Sequence, residues 1–316
     1  MSAGAKRAAE LAGRFRVEPG TKVDITDLDP ADKAGLAKAD AKELLAEGVA
    51  LLADLQDRLA AQNTHGLLVV FQAIDAAGKD STIKHVMSGV NPQGVSVTSF
   101  KAPSSEELDH DFLWRCARHV PTRGEIGIFN RSHYEEVLVV RVHPEILAGQ
   151  PLPPESKGKD VWERRYRQIN DWERHLVENG FPVVKLCLHV SKEEQRKRFL
   201  ARLEQPEKNW KFQPGDVRER RHWDEYQKAY SEMLSATSTK WAPWYVIPSD
   251  RKWFAQVAAS AVIAHTLLGI DPQYPAVPDA ARADFAAAKD ELEAEAPAGV
   301  AADPIAADMA AAGVKE

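Results

Sequence analysis

The stretch FQAIDAAGKDSTIKHVM, Phe71 to Met87, decides the fold. Upstream, GLLVVFQAI is an unbroken apolar run of strand length, and downstream KDSTIKHVM has helical spacing. Between them lies a turn with Gly78 and Lys79. A strand, a glycine-bearing loop and a helix are the context of the phosphate-binding pattern G-x-x-x-x-G-K-[ST]. Here Ala73 replaces the first glycine and Asp80 replaces the Ser/Thr. In such a loop the backbone N–H groups of Ala76, Ala77, Gly78, Lys79, Asp80 and Ser81 would face phosphate oxygens, helped by the positive end of the following helix. Lys79 would add a point charge. Asp75 is the odd residue, because a carboxylate beside phosphate is repelled unless a cation intervenes. Mg2+ bridging phosphate and carboxylate answers this, with Mn2+ as an alternative, and makes Asp75 a candidate metal ligand. The other reading is that Asp75 only caps the turn.

Working outward, Ala41–Gln62 has apolar residues at three- and four-residue spacing and predicts an amphipathic helix before the first strand. After the loop come a short strand VSVTSF, a helix SSEELDHDFLWRCARHV capped by Ser104 or Ser105, and a second apolar strand EIGIFN. KDVWERRYRQINDWERHLVENG predicts a long helix stopped at Gly180. A strand FPVVKLCLHV leads to a helix that begins at Ser191, with Glu194 completing a capping box. EKNWKFQPGD reads as a loop and DVRERRHWDEYQKAYSEMLSATS as one helix. The last pair is the strand WYVIPS and the helix RKWFAQVAASAVIAHTLLG, with Asp250 as its cap. Alternating strands and helices predict an α/β fold, a parallel sheet covered on both faces. Residues 1–40 read as an irregular arm and 41–271 as the catalytic body. The segment 272–316, rich in Ala, Pro, Asp and Glu, reads as disordered or loosely helical.

Ligands of open parallel sheets sit at the carboxyl ends of the strands. There EIGIFN runs into FNRSHYEE, so Asn130 takes the place of the metal-holding Asp expected of a phosphate-loop enzyme. Arg131 suits a phosphate, and Ser132, His133 and Tyr134 are hydrogen-bond donors for an acceptor. The net charge of −6 hides two opposed regions. From Ala276 onward nine acidic residues face three basic ones, whereas Lys192 to His222 carries ten basic and six acidic residues. The second region suits a polyanion, although a solvated helix face has the same composition. The two cysteines, Cys116 and Cys187, do not suggest a zinc or disulfide framework, and a reducing, cytoplasmic setting is expected. The N-terminus lacks the apolar core of a secretory signal, and no membrane span is expected.

Three blocks then resemble the polyphosphate kinase 2 family: DAAGKDSTIKHVM, FNRSHYEEVLVVRVHPE, and the stretch from RFLARLEQPEKNW to SDRKWFA. The resemblance covers most of Leu67 to Gly269, in the family's order. It implies a P-loop kinase-like fold similar to thymidylate kinase, with a five-stranded parallel sheet and a helical lid near 192–222. It implies Mg2+-dependent phosphoryl transfer between inorganic polyphosphate and AMP or ADP, with GMP and GDP as further candidates. Neither nucleic acid nor a membrane is an expected partner, and a homodimer or homotetramer is. The family's own loop reads D-A-A-G-K-D, so the departures at Ala73 and Asp80 belong to it. The resemblance assigns catalytic roles to Asp75, Lys79, Arg131 and the lid residues Arg198 and Arg202, and places Lys208 and Lys211 of the lid along the polyphosphate. Arg198 and Arg202, four residues apart on one helix face, are expected to close over the phosphoryl group. Asn130 departs from the aspartate of many members and would hold metal more weakly. Asn130, His133, Tyr134 and Glu135 are the expected acceptor contacts. An acidic residue at Glu135 resembles the type that takes AMP as well as ADP. An ATP-dependent nucleotide kinase and a non-catalytic polyphosphate-binding module are the competing readings.

Overall fold

The computed structural model describes residues 3–311. Its sheet has five parallel strands, β1 (Leu67–Gln72), β2 (Val95–Ser99), β3 (Ile126–Asn130), β4 (Val183–His189) and β5 (Trp244–Pro248), in the order β2-β3-β1-β4-β5. The helices run α1 (Ala3–Phe15), α2 (Ala41–Gln62), α3 (Lys79–Val86), then the short α4 (Ser105–Leu108), α5 (Trp114–Ala117), α6 (Val139–Val142) and α7 (Pro144–Gly149). They continue with α8 (Val161–Glu178), α9 (Lys192–Glu204), α10 (Pro214–Glu219), α11 (Trp223–Thr237), α12 (Lys252–Ile270), α13 (Asp279–Ala294) and α14 (Pro304–Ala311).

Every residue of β1 is buried, because side chains of alternating parity feed two cores. Leu67, Val69 and Phe71 pack with α1, α2, α3 and α12, while Leu68 and Val70 pack with α8 and α11. Successive crossovers leave β1 in opposite directions, to β2 and β3 on one side and β4 and β5 on the other. The switch point therefore lies at the carboxyl ends of β1 and β3, where the Asp75–Lys79 loop and Arg131 emerge.

Residues 1–40 are not an irregular arm throughout. In α1, Ala5, Ala8, Leu11, Ala12 and Phe15 form a buried stripe, and Phe15 meets Phe254 of α12 edge-on at 5.7 Å. Val17 then donates to the Trp244 carbonyl at 2.8 Å, so this segment covers the edge of β5. The expected helix from Ser104 is two short ones, α4 and α5, separated at Asp109–Leu113. Ser104 and Glu107 close a full capping box there. At Ser191 only half of the expected box forms. Its hydroxyl accepts from the Glu194 amide, but its own amide donates to Asp250 at 2.7 Å, and Glu194 accepts from Arg198 instead. Asp250 is thus spent on α9 rather than capping α12. The single helix expected before β5 is α10, a 3-10 turn at Arg220–His222, and α11.

By length and hydropathy α12 matches a membrane span, but two thirds of that window is buried, and it is the central helix of one core. The chain divides into two compact units, Met1–Gln273 and Tyr274–Glu316. In the second, the segment expected to be disordered or loosely helical carries α13 and α14, and α13 buries none of its residues. Cys116 and Cys187 are both free and buried, and burial pushes each thiol up to about 12.

Candidate active site

The loop after β1 turns on two residues in the left-handed region, Ala76 at φ 62° and Gly78 at φ 110°. Gly78 is the position where a side chain would be strained, and a Cβ there would also touch the Arg198 guanidinium at 3.5 Å. Gly78 starts α3, whose first-turn amides have no carbonyl to bond within the helix. Lys79 folds back over the loop, donating from Nζ to the Ala73 carbonyl at 2.7 Å and the Ile74 carbonyl at 3.4 Å. Burial lowers its pKa to about 8, with a further push from the Arg131 charge.

Arg131 enters from β3, also left-handed at φ 63°. It is held between two carboxylates, pairing with Asp75 and donating to Glu135 at 2.9 Å. Glu135 in turn accepts from the buried Gln72 at 2.5 Å. The Glu135 charge, with Asp75 adding, raises the Arg131 pKa against the effect of burial. Asn130 donates its amide to Asp80 at 2.7 Å, which leaves its Oδ1 as an oxygen donor beside that carboxylate. An aspartate here would face Asp80 as a like charge. Asp75, Asp80 and Asn130 line the same cleft, and hard oxygen donors of this kind suit Mg2+. Among the described residues no three His, Cys, Asp or Glu form a metal cage. Mg2+ held by one or two carboxylates and substrate phosphates does not require one.

Around the loop lies a cleft of about 810 Å³. Among the described residues it is lined by six lysines and three arginines against four carboxylates. The expected Arg202, Lys208 and Lys211 are there, and so are three lysines that the sequence reading missed, Lys101, Lys197 and Lys252. Lys101 follows β2 and Lys252 starts the helix after β5, so both sit at strand carboxyl ends, where the topological rule points. Burial, and the charges of Arg198, Lys208 and Arg202, hold the Lys252 pKa down.

Arg198 has a different place from the one expected. Its guanidinium donates to the carbonyls of Ala76 at 3.1 Å and Ala77 at 2.6 Å, and to those of Ser249 at 2.5 Å and Asp250 at 3.2 Å. With its donors on these carbonyls and on Glu194, it braces the phosphate loop against the β5 end from the cleft wall. Arg202 pairs with Asp216 at 3.2 Å across the cleft.

Tyr134 also corrects the acceptor reading, whereas His133 still lines the neighbouring apolar pocket. Both rings are buried in the core behind the site. Tyr134 donates to Glu173 at 2.7 Å, and Lys185 donates to Glu173 at 2.6 Å, to Tyr134 at 2.9 Å and to the Thr237 carbonyl at 2.7 Å. The 3-10 turn at His133–Val137 buries these two rings and leaves Glu135 beside Arg131. A second, more apolar pocket of about 590 Å³ opens beside it, with Pro103, Leu108, Phe112, Val139 and Ile146 among its walls. Arg131, Lys101 and Phe100 line both cavities, so the two meet at Arg131.

The sequence profile described as "Polyphosphate kinase 2" matches residues 35–275. A relative named ADP-polyphosphate phosphotransferase from Rhodopseudomonas palustris is 50% identical over 284 residues, covering 88% of this chain and 97% of the relative. The AMP/ADP-polyphosphate phosphotransferase of Meiothermus ruber is 46% identical over 264 residues, covering 83% of this chain and 95% of the relative. The crystal structure of polyphosphate kinase 2 from Arthrobacter aurescens TC1 superposes with a TM-score of 0.79 at 40% identity, covering 88% of this chain and 96% of that one.

Proposed function

The chain belongs to the polyphosphate kinase 2 family, and from that premise we infer that it moves phosphoryl groups between inorganic polyphosphate and nucleotides. The observation that carries this is the junction of two unlike cavities at Arg131. A basic cleft suits a linear polyanion, and a largely apolar pocket suits a nucleoside. Polyphosphate would lie along Lys101, Lys197, Arg202, Lys208, Lys211 and Lys252, with its terminal phosphate over the loop of Ala76 to Ser81. The acceptor, AMP or ADP with GMP and GDP as further candidates, would reach the same point from the other side. Its own phosphate oxygen is the nucleophile, so no protein nucleophile is required. Phosphoryl transfer has a loose transition state and is accelerated mainly by positioning and charge. Lys79 and the loop amides hold the transferring group, and Arg131, fixed by Glu135, compensates its charge in flight. Arg198 acts by keeping the loop in shape. Asp75 and Asp80, with Asn130 Oδ1, would hold Mg2+ or Mn2+, which when bound neutralises phosphate charge.

Glu135 supports acceptance of AMP as well as ADP, since it stands at the junction where an AMP phosphate would need extra support. A cytoplasmic homodimer or homotetramer is part of the same proposal, and light scattering on the eluted protein tests the assembly. The deciding assay incubates the protein with polyphosphate, Mg2+ and AMP, ADP, GMP or GDP separately, and resolves the products by chromatography. A parallel arm with chelator tests the cation. Product formation from ATP but not from polyphosphate would overturn the donor assignment.

A further inference from the structure

The apolar pocket contains one polar corner. The buried Glu136 accepts from Gln150 Nε2 at 3.1 and 3.2 Å and pairs with Arg165 Nη2 at 3.0 Å. The Arg165 guanidinium also lies 4.2 Å from the centre of the Phe112 ring, which fixes its plane. A carboxylate paired with an arginine only accepts hydrogen bonds, so Gln150 must turn its NH2 toward Glu136 and its carbonyl away. Two atoms are then left over. Gln150 Oε1 and Arg165 Nε are buried without a hydrogen-bond partner beside Glu136, and both residues line the pocket, as does His133, whose Nδ1 is likewise unpartnered. An unpartnered buried polar atom is destabilising. One acceptor and one donor, both shielded from solvent and carried by neighbouring residues of one pocket wall, therefore point to partners brought by a ligand.

We propose that Gln150 and Arg165, held by Glu136, read the base of the acceptor nucleotide. The proposal rests on the acceptor-pocket reading above and deepens it. The pair offers one acceptor and one donor, so it matches a base edge with one N–H donor beside one acceptor. Adenine presents this edge through its 6-amino group and a ring nitrogen, and guanine presents it through N1–H and O6. Both are accepted on this basis, by opposite assignments of the same two contacts. Unsubstituted purine has only ring acceptors on that edge and leaves Gln150 Oε1 unpaired. A site built to hydrogen-bond a substrate group discriminates strongly against an analogue that lacks it.

The test compares ADP, GDP and purine riboside 5′-diphosphate as acceptors, with wild-type protein and with Gln150→Met. In wild type, kcat/KM for the purine riboside diphosphate is expected at least about tenfold below that for ADP, with GDP close to ADP. Gln150→Met removes the acceptor oxygen at similar volume and is expected to close the gap to within about threefold, mainly by lowering ADP. Equal use of all three acceptors by wild type would overturn the proposal without reference to any variant. So would a tenfold gap that survives in a folded Gln150→Met. Calorimetric binding of the same three nucleotides keeps the two readings apart. Selective binding without phosphoryl transfer would fault the transfer assignment and support the base-reading pair, whereas unselective binding would overturn the pair.

Discussion

Arg131 is the residue on which the site turns, because it joins two carboxylates from two different elements. Glu135 fixes one side of it, so Glu135→Asn is expected to weaken both acceptors and to cost AMP about tenfold more than ADP. Parallel assays with the two acceptors check this, and equal losses would reduce Glu135 to a holder of Arg131. Lys79→Ala is expected to lower kcat by at least about a hundredfold in a folded protein, since it removes a charge felt in the transition state. The pH dependence follows from its depressed pKa of about 8. Lys79 is a cation below that value and neutral above it, so kcat/KM for polyphosphate should fall as pH rises through about 8. Lys79→Arg should abolish that limb, because a guanidinium does not titrate there. At this scale the loop and Arg131 were legible, since their residue types are tied to phosphate chemistry. The inward turn of Tyr134 was not, because adjacency in a motif does not fix side-chain direction. The left-handed turn at Arg131 and the 3-10 turn after it decided that.

Between elements, two buried cations, Arg198 and Lys185, tie separate parts of the chain together. Arg198→Lys keeps the charge but loses the planar fork that reaches the carbonyls of Ala76, Ala77, Ser249 and Asp250. It is expected to lower stability by about 1–3 kcal/mol in urea unfolding as well as to impair turnover. Arg202→Lys, on the cleft wall, is expected to raise KM for polyphosphate with little change in stability. Lys185 on β4 and Glu173 on α8 are both fully buried and pair at 2.6 Å. Removing one partner strands the other, so Glu173→Gln is expected to cost about 3–5 kcal/mol. The five strands and the long helices were readable from apolar runs of the right length. The lid was legible as a basic segment opening with the helix from Ser191, but the 3-10 turn at Pro206–Lys211 was read as loop and the break after α10 was missed, because the charged residues there carry little periodic signal. The helix α1 was missed because three of its five buried positions are alanines, which a search for large apolar residues passes over.

For the whole chain, charge is divided between the two compact units. The unit Met1–Gln273 supplies both hydrophobic cores, and the acidic excess lies in the segment from Ala276 onward. Deleting Ala276–Glu316 is therefore expected to leave the thermal midpoint and kcat largely unchanged. It should lower KM for polyphosphate at low salt only, as screening suppresses long-range repulsion. A large fall in the midpoint would show that the tail stabilises the body. Composition alone revealed this division but left open whether the tail is disordered or loosely helical, and the tail carries α13 and α14. The two shielded thiols have a practical consequence. Alkylating reagents attack the thiolate, and neither Cys116 nor Cys187 supplies one near neutral pH. A single cysteine introduced by Trp210→Cys, at a lid position 77% exposed, would then take up a maleimide dye alone. Fluorescence from that one label would follow the lid through successive turnovers without first stripping the native cysteines.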